Sequence, residues 1–163
     1  ALQKTKITNI DLVMNLQGDE PLIDIDDIRN LNQLMMITNS KIGTLASKIL
    51  DKKFYDNQSV VKVKTKEELN HKNFSEAIYF KRKIPNNDLN IYHHMGIYCY
   101  EMETLKDFVS YKQSPNEAKY KLEQLRALEN KIKINVALAK SHSIGIDTKE
   151  DFVAIKKIME YKT

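Results

Sequence analysis

Two segments of the chain place carboxylates where an α/β protein could bind a metal ion. Asp19 lies in Gln-Gly-Asp-Glu-Pro (residues 17–21), directly after the apolar run at residues 10–16. Asp147 lies in Gly-Ile-Asp-Thr (residues 145–148), between the last predicted strand and the last predicted helix. Ligands of open α/β sheets bind beyond the carboxyl ends of the strands, and carboxylate oxygens suit a hard divalent cation. An acidic turn and an ordinary helix start explain the same residues, and spacing alone does not show that the two carboxylates meet.

Side chains suited to a polar, anionic ligand occur in three further segments. Arg82, one of three arginines among 26 basic residues, lies in the cationic run Phe-Lys-Arg-Lys-Ile-Pro, and its planar fork suits an anion. His94 and Tyr98 share one face of a predicted strand because they are four residues apart. Glu123 and Gln124 lie on a predicted helix whose leucines face the core, so both side chains could reach a polyol. The alternatives are a solvated basic turn, a structural histidine and an exposed helix face. No third ligand at a zinc-like spacing accompanies the histidine.

Alternating strand and helix patterns must position these side chains. Apolar patterning predicts strands at residues 10–16, 42–50, 60–64, 77–80, 95–100 and 134–138. Helical periodicity predicts helices at residues 24–38, 103–111, 114–129 and after Thr148. Their order predicts one α/β domain over residues 1–163 with a mainly parallel sheet, and a strand-rich excursion around residues 60–100.

The same patterns predict which residues face the core. The first strand is nearly all apolar, so we expect it to be covered on both faces, as in a parallel sheet. The alternating strand at residues 60–64 is expected to be half-exposed. On the last two helices we expect these residues to point inward: Ala118, Leu122, Leu125, Leu128, Phe152, Ile155, Ile158 and Met159.

Composition limits the class of protein. The 163 residues are 42% hydrophobic and 29% charged, which is typical of one globular domain. No apolar run reaches the roughly 18 residues of a membrane span, no signal segment opens the chain, and Cys99 is the single cysteine. We therefore expect a cytoplasmic protein without membrane insertion. The net charge of +4 comes from lysines dispersed among acids, which argues against a nucleic-acid partner. The chain begins with Ala1 and enters a strand-like run at once, which indicates a piece of something longer.

Seven motifs together resemble one enzyme family. They are NLQGDEPL at residues 15–22, VKV at 61–63, YFKRKIP at 79–85, HMGIYCY at 94–100, SP at 114–115, LEQLRALEN at 122–130 and GIDTKED at 145–151. In this order and at about this spacing they are typical of the 3-deoxy-manno-octulosonate (Kdo) cytidylyltransferases, also called CMP-Kdo synthetases. The resemblance covers essentially the whole chain.

The resemblance implies a fold, a reaction and a set of site residues. The fold would be the nucleotide-diphospho-sugar transferase type, working as a homodimer. The enzyme would transfer CMP from CTP to Kdo, giving CMP-Kdo and pyrophosphate for lipopolysaccharide synthesis. Mg²⁺ would assist, and Asp19 and Asp147 match the catalytic, metal-binding aspartates, so their carboxylates should lie closer than roughly 8 Å. The residues that match sugar-binding positions are Gln17, Arg82, His94, Tyr98, Glu123 and Gln124.

Three departures from the family pattern leave the exact sugar acid open. Lys81, Cys99 and Tyr120 stand where serine, glycine and glutamate are usual. The substrate could therefore be a related sugar acid, such as 8-amino-Kdo or sialic acid. The family's N-terminal CTP-binding segment is not in the sequence, so we expect a partial domain that is inactive alone. The alternative is a non-catalytic sugar-acid-binding or regulatory derivative of the enzyme.

Overall fold

A six-stranded sheet forms the centre of the structure, a computed structural model that describes residues 9–18, 20–50, 55–84, 88–140 and 149–160. Eleven elements make up this described part of the chain. The strands are β1 (Leu12–Asn15), β2 (Ile42–Lys48), β3 (Lys62–Thr65), β4 (Ser75–Lys81), β5 (Ile91–Glu101) and β6 (Ile134–Leu138). The helices are α1 (Ile25–Thr38), α2 (Met102–Ser110), α3 (Pro115–Tyr120), α4 (Gln124–Glu129) and α5 (Lys149–Glu160).

The sheet is mixed, so the expectation of a mainly parallel sheet is wrong, although the α/β class is correct. The strand order is β1-β5-β2-β6-β4-β3, and β5 also pairs with β3. Of these pairings only β2–β6 is parallel. The described connections from β3 to β4 and from β4 to β5 contain no crossover helix, and parallel neighbours require such a crossover. The strand-rich stretch around residues 60–100 is therefore antiparallel, as expected, but it is built into the main sheet.

β1 lies at the edge of the described sheet and not inside it. It pairs only with β5, antiparallel, in the register Leu12 to Glu101 through Asn15 to Tyr98. Its apolar side chains are half-buried, so the prediction of a strand covered on both faces is wrong. β5 is antiparallel to both β1 and β2, and β2 is parallel to β6, so β1, β2 and β6 all run in the same direction.

Helix α1 packs on the sheet at a point of very close approach. Asp24 caps the helix by accepting a hydrogen bond from the Asp26 amide at 2.8 Å. Leu31 and Met35 are buried against β2. Gly43 of β2 lies under this helix, where any side chain would meet Met35.

The predicted helix at residues 114–129 is divided into α3 and α4. Lys121 adopts a left-handed conformation with φ of 53° and ends α3. In one continuous helix Glu117 and Arg126, nine residues apart, would point about 180° away from each other. The division lets the Arg126 guanidinium bind the Glu117 carboxylate through Nε at 2.7 Å and Nη2 at 2.5 Å. Leu122 is buried as expected, but Ala118 is exposed.

Helix α5 buries less of its apolar surface than its sequence predicts. Ile155 is fully buried. Phe152, Ile158 and Met159 are 54%, 36% and 50% exposed, so their predicted burial is wrong for the described part of the chain. Across the described residues, no helix is both long enough and apolar enough to span a bilayer.

We predict that Gly43→Ala destabilises the fold by about 1–3 kcal/mol, because overpacking forces buried neighbours to move. A Cβ at Gly43 would lie 2.6 Å from Met35 Sδ and 2.7 Å from Phe74 Cζ. Urea denaturation should show a lower midpoint with an unchanged slope. Gly18→Ala is the matched control, since a Cβ there meets no described atom within 4 Å. Equal stability of the two variants would contradict this account of the α1 contact.

Candidate functional site

Four of the predicted binding residues come together around one face of β5. His94 and Tyr98 lie on this face with ring centroids 5.4 Å apart. Gly96 lies between them, and the Gln17 side chain rests over it, since a Cβ on Gly96 would be 2.7 Å from Gln17 Oε1. The charge of Glu123 acts on Tyr98 from the start of α4. The structure thus joins residues from β5, from the segment after β1 and from the N-cap of α4.

A β-bulge in β5 shapes this face. Thr44 of β2 pairs with Tyr98, whereas the next residue, Leu45, pairs with Met95, so β5 carries two additional residues at this point. The Thr44 hydroxyl lies 2.6 Å from the Ile97 carbonyl and 3.0 Å from His94 Nε2. Because the hydroxyl has one hydrogen, which it donates to the carbonyl, His94 Nε2 must be the donor to Thr44. The His94 ring is therefore protonated at Nε2, and Nδ1 is its acceptor.

Burial keeps both ring side chains of this face uncharged. Burial, reinforced by the neighbouring His93, lowers the pKa of His94 to about 3. Burial, then Tyr100 and then Glu123, raises the pKa of Tyr98 well above its usual value. The Tyr98 hydroxyl is buried and has no hydrogen-bond partner among the described residues. An unpaired buried hydroxyl costs about 1–3 kcal/mol, so this atom points to a group that binds here.

A row of aromatic contacts connects the His94–Tyr98 face to β4 on one side and to α2 on the other. The Phe80 ring of β4 meets the His94 ring edge-on at 4.9 Å. On the other side the Tyr98 ring stacks on Tyr100 at 5.8 Å, and Tyr100 contacts Phe108 of α2 at 5.8 Å. The row therefore runs across the sheet from β4 to α2 and holds the His94–Tyr98 face rigid.

Arg82 lies in a separate cleft beside this row. Its Nη1 donates to the Ser59 carbonyl at 2.6 Å and to the Gln58 carbonyl at 3.3 Å. Both of these bonds use Nη1, and among the described residues no hydrogen bond or ring contact joins Arg82 to His94 or Tyr98. The cleft has a volume of about 700 Å³, and its lining includes Lys81, Arg82, Lys83, Lys119, Phe80 and Leu122. Phe80 lines the cleft and also touches His94, so the cleft and the β5 face are neighbours.

Glu123 and Gln124 differ in exposure, which the sequence did not distinguish. The Glu123 side chain is 65% exposed, whereas Gln124 is buried, so the expectation of two outward side chains is correct only for Glu123. Arg126 Nη2 contacts Glu123 Oε1 at 3.4 Å while the same guanidinium binds the buried Glu117. The hydrogen bond from Arg126 holds the pKa of Glu117 below its ordinary value. Arg126 thereby orients the start of α4.

Several positioning residues were not found from the sequence. No sequence motif marks Thr44 or Glu117. The role of Thr44 depends on His94, 50 residues away in the sequence, and the role of Glu117 depends on Arg126, nine residues away. Asp27 is buried and accepts a hydrogen bond from the Lys140 amide at 2.8 Å, across 113 residues. Its place in the LEQLRALEN motif marked Arg126, but that motif gave it no role.

The two candidate metal ligands lie outside the described residues. Asp19 and Asp147 are both among the residues that the structure does not describe. Within the described ranges no group of three or more His, Cys, Asp or Glu side chains could hold a metal ion. β1 and β6 end at the same edge of the sheet, because they run in the same direction.

Known proteins resemble this chain in sequence and in fold. The family model described as cytidylyltransferase matches residues 1–134. Two curated relatives are the 3-deoxy-manno-octulosonate cytidylyltransferases of Bartonella henselae and Thermodesulfovibrio yellowstonii. They are 38% and 42% identical to this chain, and each match covers 91% of this chain and 60% of the relative. The chain therefore spans about 60% of the length of these curated relatives.

A solved structure extends the likeness to three dimensions. It is CMP:2-keto-3-deoxy-manno-octonic acid synthetase complexed with CTP, which matches with a TM-score of 0.84 at 27% identity. The match covers 99% of this chain and 66% of the other, and it confirms the expected nucleotidyltransferase fold type. Since the family model spans most of the sequence, the chain belongs to the cytidylyltransferase family, and its resemblance to the 3-deoxy-manno-octulosonate cytidylyltransferases is confirmed.

Proposed function

We propose that the gene product containing this sequence transfers CMP from CTP to Kdo, releasing pyrophosphate, as a step of lipopolysaccharide synthesis. The observation that carries the proposal is the β5 face, which brings together Gln17 over Gly96, the His94 ring and the buried, unpaired hydroxyl of Tyr98. Such a face suits a polyol, and the names of the curated relatives support Kdo as that polyol. The non-catalytic alternative has no comparable support.

The side chains of this face would bind and orient the sugar acid. His94 Nδ1 would accept a hydrogen bond from a sugar hydroxyl, and the Tyr98 hydroxyl and the Gln17 amide would offer further hydrogen bonds. Because His94 stays neutral, it acts as an orienting group and not as a proton acceptor for the attack. The Nε and Nη2 edge of Arg82 suits the sugar carboxylate through two parallel hydrogen bonds. The oxygen of the oriented anomeric hydroxyl would then bond to the α-phosphorus of CTP as its proton passes to water, and the bond from the α-phosphorus to the pyrophosphate oxygen would break, releasing pyrophosphate.

We further propose that Asp19 and Asp147 hold Mg²⁺, which when bound would neutralise phosphate charge. The ends of β1 and β6 are separated by three strand spacings, about 14 Å. The seven residues from 141 to 147 can reach about 23 Å when extended, so Asp147 can approach Asp19. Asp27 anchors the amide of Lys140, where this segment begins. Carboxylate oxygens are the donors that Mg²⁺ prefers.

A homodimer and a cytoplasmic location are also part of this proposal. The lone Cys99 is buried, and burial raises its pKa to about 11, so this thiol is suited neither to a disulfide nor to redox chemistry. Size-exclusion chromatography with light scattering tests the dimer, and fractionation of the source cells tests the location.

The reaction is tested with the complete gene product, CTP and Mg²⁺. Release of pyrophosphate and formation of CMP-Kdo are measured with Kdo, 8-amino-Kdo and sialic acid offered in parallel. We expect the highest kcat/KM with Kdo. A higher kcat/KM with 8-amino-Kdo or sialic acid would identify that sugar acid as the substrate in place of Kdo. A lack of turnover with all three would overturn the proposed function.

We predict that Arg82→Lys raises the KM for Kdo about 10- to 100-fold and leaves the KM for CTP nearly unchanged, because lysine keeps the charge but loses the two-pronged bond. Steady-state kinetics with each substrate varied in turn measure both constants. Lys72→Gln, at an exposed lysine that does not line this cleft, is the control and should change neither. An equal loss for CTP and Kdo would refute the assignment of Arg82 to the sugar carboxylate.

We predict that Gly96→Ala displaces the Gln17 side chain and raises the KM for Kdo by about tenfold, the cost of a modest misplacement in a binding site. The clash involves the far end of a flexible side chain, with 2.7 Å to Oε1, so the fold should survive. In a Gln17→Ala background the same substitution should cost nothing more. Additive effects of the two changes would show that Gly96 acts through another contact.

We predict that His94 makes the fold sensitive to mild acid. An unfolded histidine binds a proton below about pH 6.5, whereas the folded His94, with a pKa of about 3, does not, so stability falls as pH drops below 6.5. The slope should approach 1.4 kcal/mol per pH unit between about pH 6 and 5, above the range of the carboxylates. Urea denaturation of His94→Gln should lack this slope, and His71→Gln, at an exposed histidine, should retain it. A wild-type slope in His94→Gln would contradict the prediction.

A further inference from the structure

A lysine on β3 is fully buried, against expectation. The alternating pattern at residues 60–64 predicts a half-exposed strand, yet Lys62 has no exposed surface. Lysine is almost never fully buried unless its ammonium group is paired. The Lys62 Nζ donates to the carbonyl of Asn57 at 2.5 Å and to the carbonyl of Arg82 at 2.7 Å. Both partners are main-chain atoms, so the amine joins two loops rather than neutralising a carboxylate.

Arg82 belongs to one of these two loops, and its side chain is hydrogen-bonded to the other. The turn that begins at Asn57 supplies the Gln58 and Ser59 carbonyls to the Arg82 guanidinium. Within the turn the Ser59 amide donates to Asn57 Oδ1 at 2.9 Å, and the Val60 amide donates to the Asn57 carbonyl at 3.3 Å. The backbone of Arg82 and its side chain are thus attached to the same turn, the backbone through Lys62 and the side chain directly.

A purely structural role does not account well for this lysine. Removing an ammonium group from water costs several kcal/mol, and an apolar side chain of the same length would fill the same space. Burial lowers the pKa of Lys62, an effect that Asp56 opposes and Arg82 reinforces. Lys64, two residues along the same strand, is an ordinary case for comparison, since its ammonium group pairs with Asp88 at 2.7 Å at a partly exposed site.

We propose that Lys62 is a positioning residue for Arg82: it fixes the Arg82 main chain to the 57–60 turn so that the guanidinium edge faces the cleft. This inference rests on the proposed function, in which Arg82 binds the carboxylate of the sugar acid. Without the Lys62 bridge, Arg82 keeps its charge but loses its fixed direction, and the sugar is bound less well while CTP is unaffected.

The test compares Lys62→Met with Lys64→Met in the complete gene product. Lys62→Met should raise the KM for Kdo about 10- to 100-fold, as expected for a misplaced binding group, with the KM for CTP within about twofold of the wild type. Lys64→Met should leave both constants near the wild type. In an Arg82→Lys background, Lys62→Met should cost much less than it does alone, because both changes remove the same interaction. Equal effects on Kdo and CTP, or full additivity with Arg82→Lys, would overturn the inference.

Hydrogen exchange separates failure of this inference from failure of the proposed function. Lys62→Met should speed exchange at the Ser59 and Val60 amides and leave β2 and β6 protected, whichever sugar the enzyme uses. Unchanged exchange at these two amides overturns the positioning role even if Kdo is the substrate. If Lys62→Met does not fold, Lys62→Gln, which keeps a shorter donor, takes its place in both measurements. Failure of both variants to fold, while Lys64→Met folds, would make Lys62 a residue of the fold alone and overturn the inference.

Discussion

The pairing of β5 with three other strands is the constraint on which the rest of the structure depends. β5 lies antiparallel to β1 and β2, and its first residues also pair with β3. Together with β3–β4, β4–β6 and β6–β2, these pairings close a ring of five strands around the apolar cluster that contains Tyr92, Tyr98 and Val136. A strand held on both sides in this way cannot change register without moving the whole sheet. Side chains on β5 are therefore fixed more firmly than side chains on a loop would be.

The bulge in β5 converts this rigid frame into a binding face. Two additional residues between Met95 and Tyr98 would leave main-chain carbonyls without ladder partners, and the Thr44 hydroxyl binds one of them. The same hydroxyl sets the tautomer of His94. Bulges are common where a strand must aim a side chain at a ligand. Gly96 sits at the bulge because the Gln17 side chain lies where a Cβ would be.

Buried polar side chains form a second layer that holds the binding residues from behind. Lys62 donates hydrogen bonds to the main-chain carbonyls of Asn57 and Arg82. Glu117 accepts hydrogen bonds from Arg126, and Asp27 accepts one from the amide of Lys140. Each group is paired, as a buried polar group must be, because an unpaired one costs several times what a hydrogen bond contributes. Within the described chain the hydroxyls of Ser47 and Tyr98 depart from this rule, and that of Tyr98 lies on the proposed sugar-binding face.

Local sequence determined the family motifs, the class of most elements and the candidate ligands. Apolar periodicity located α1, β2 and β6 to within a few residues, because it reports which face of a segment is buried. Tertiary structure alone decided the bulge in β5, the burial of Lys62 and the division of the predicted helix at Lys121. Each feature depends on a contact that the local pattern does not contain. The bulge depends on Thr44, the burial of Lys62 depends on the Arg82 carbonyl, and the division of the helix depends on the pairing of Glu117 with Arg126, which would lie on opposite sides of one continuous helix. A window of neighbouring residues carries no information about such partners, since pairing and burial are properties of the assembled sheet.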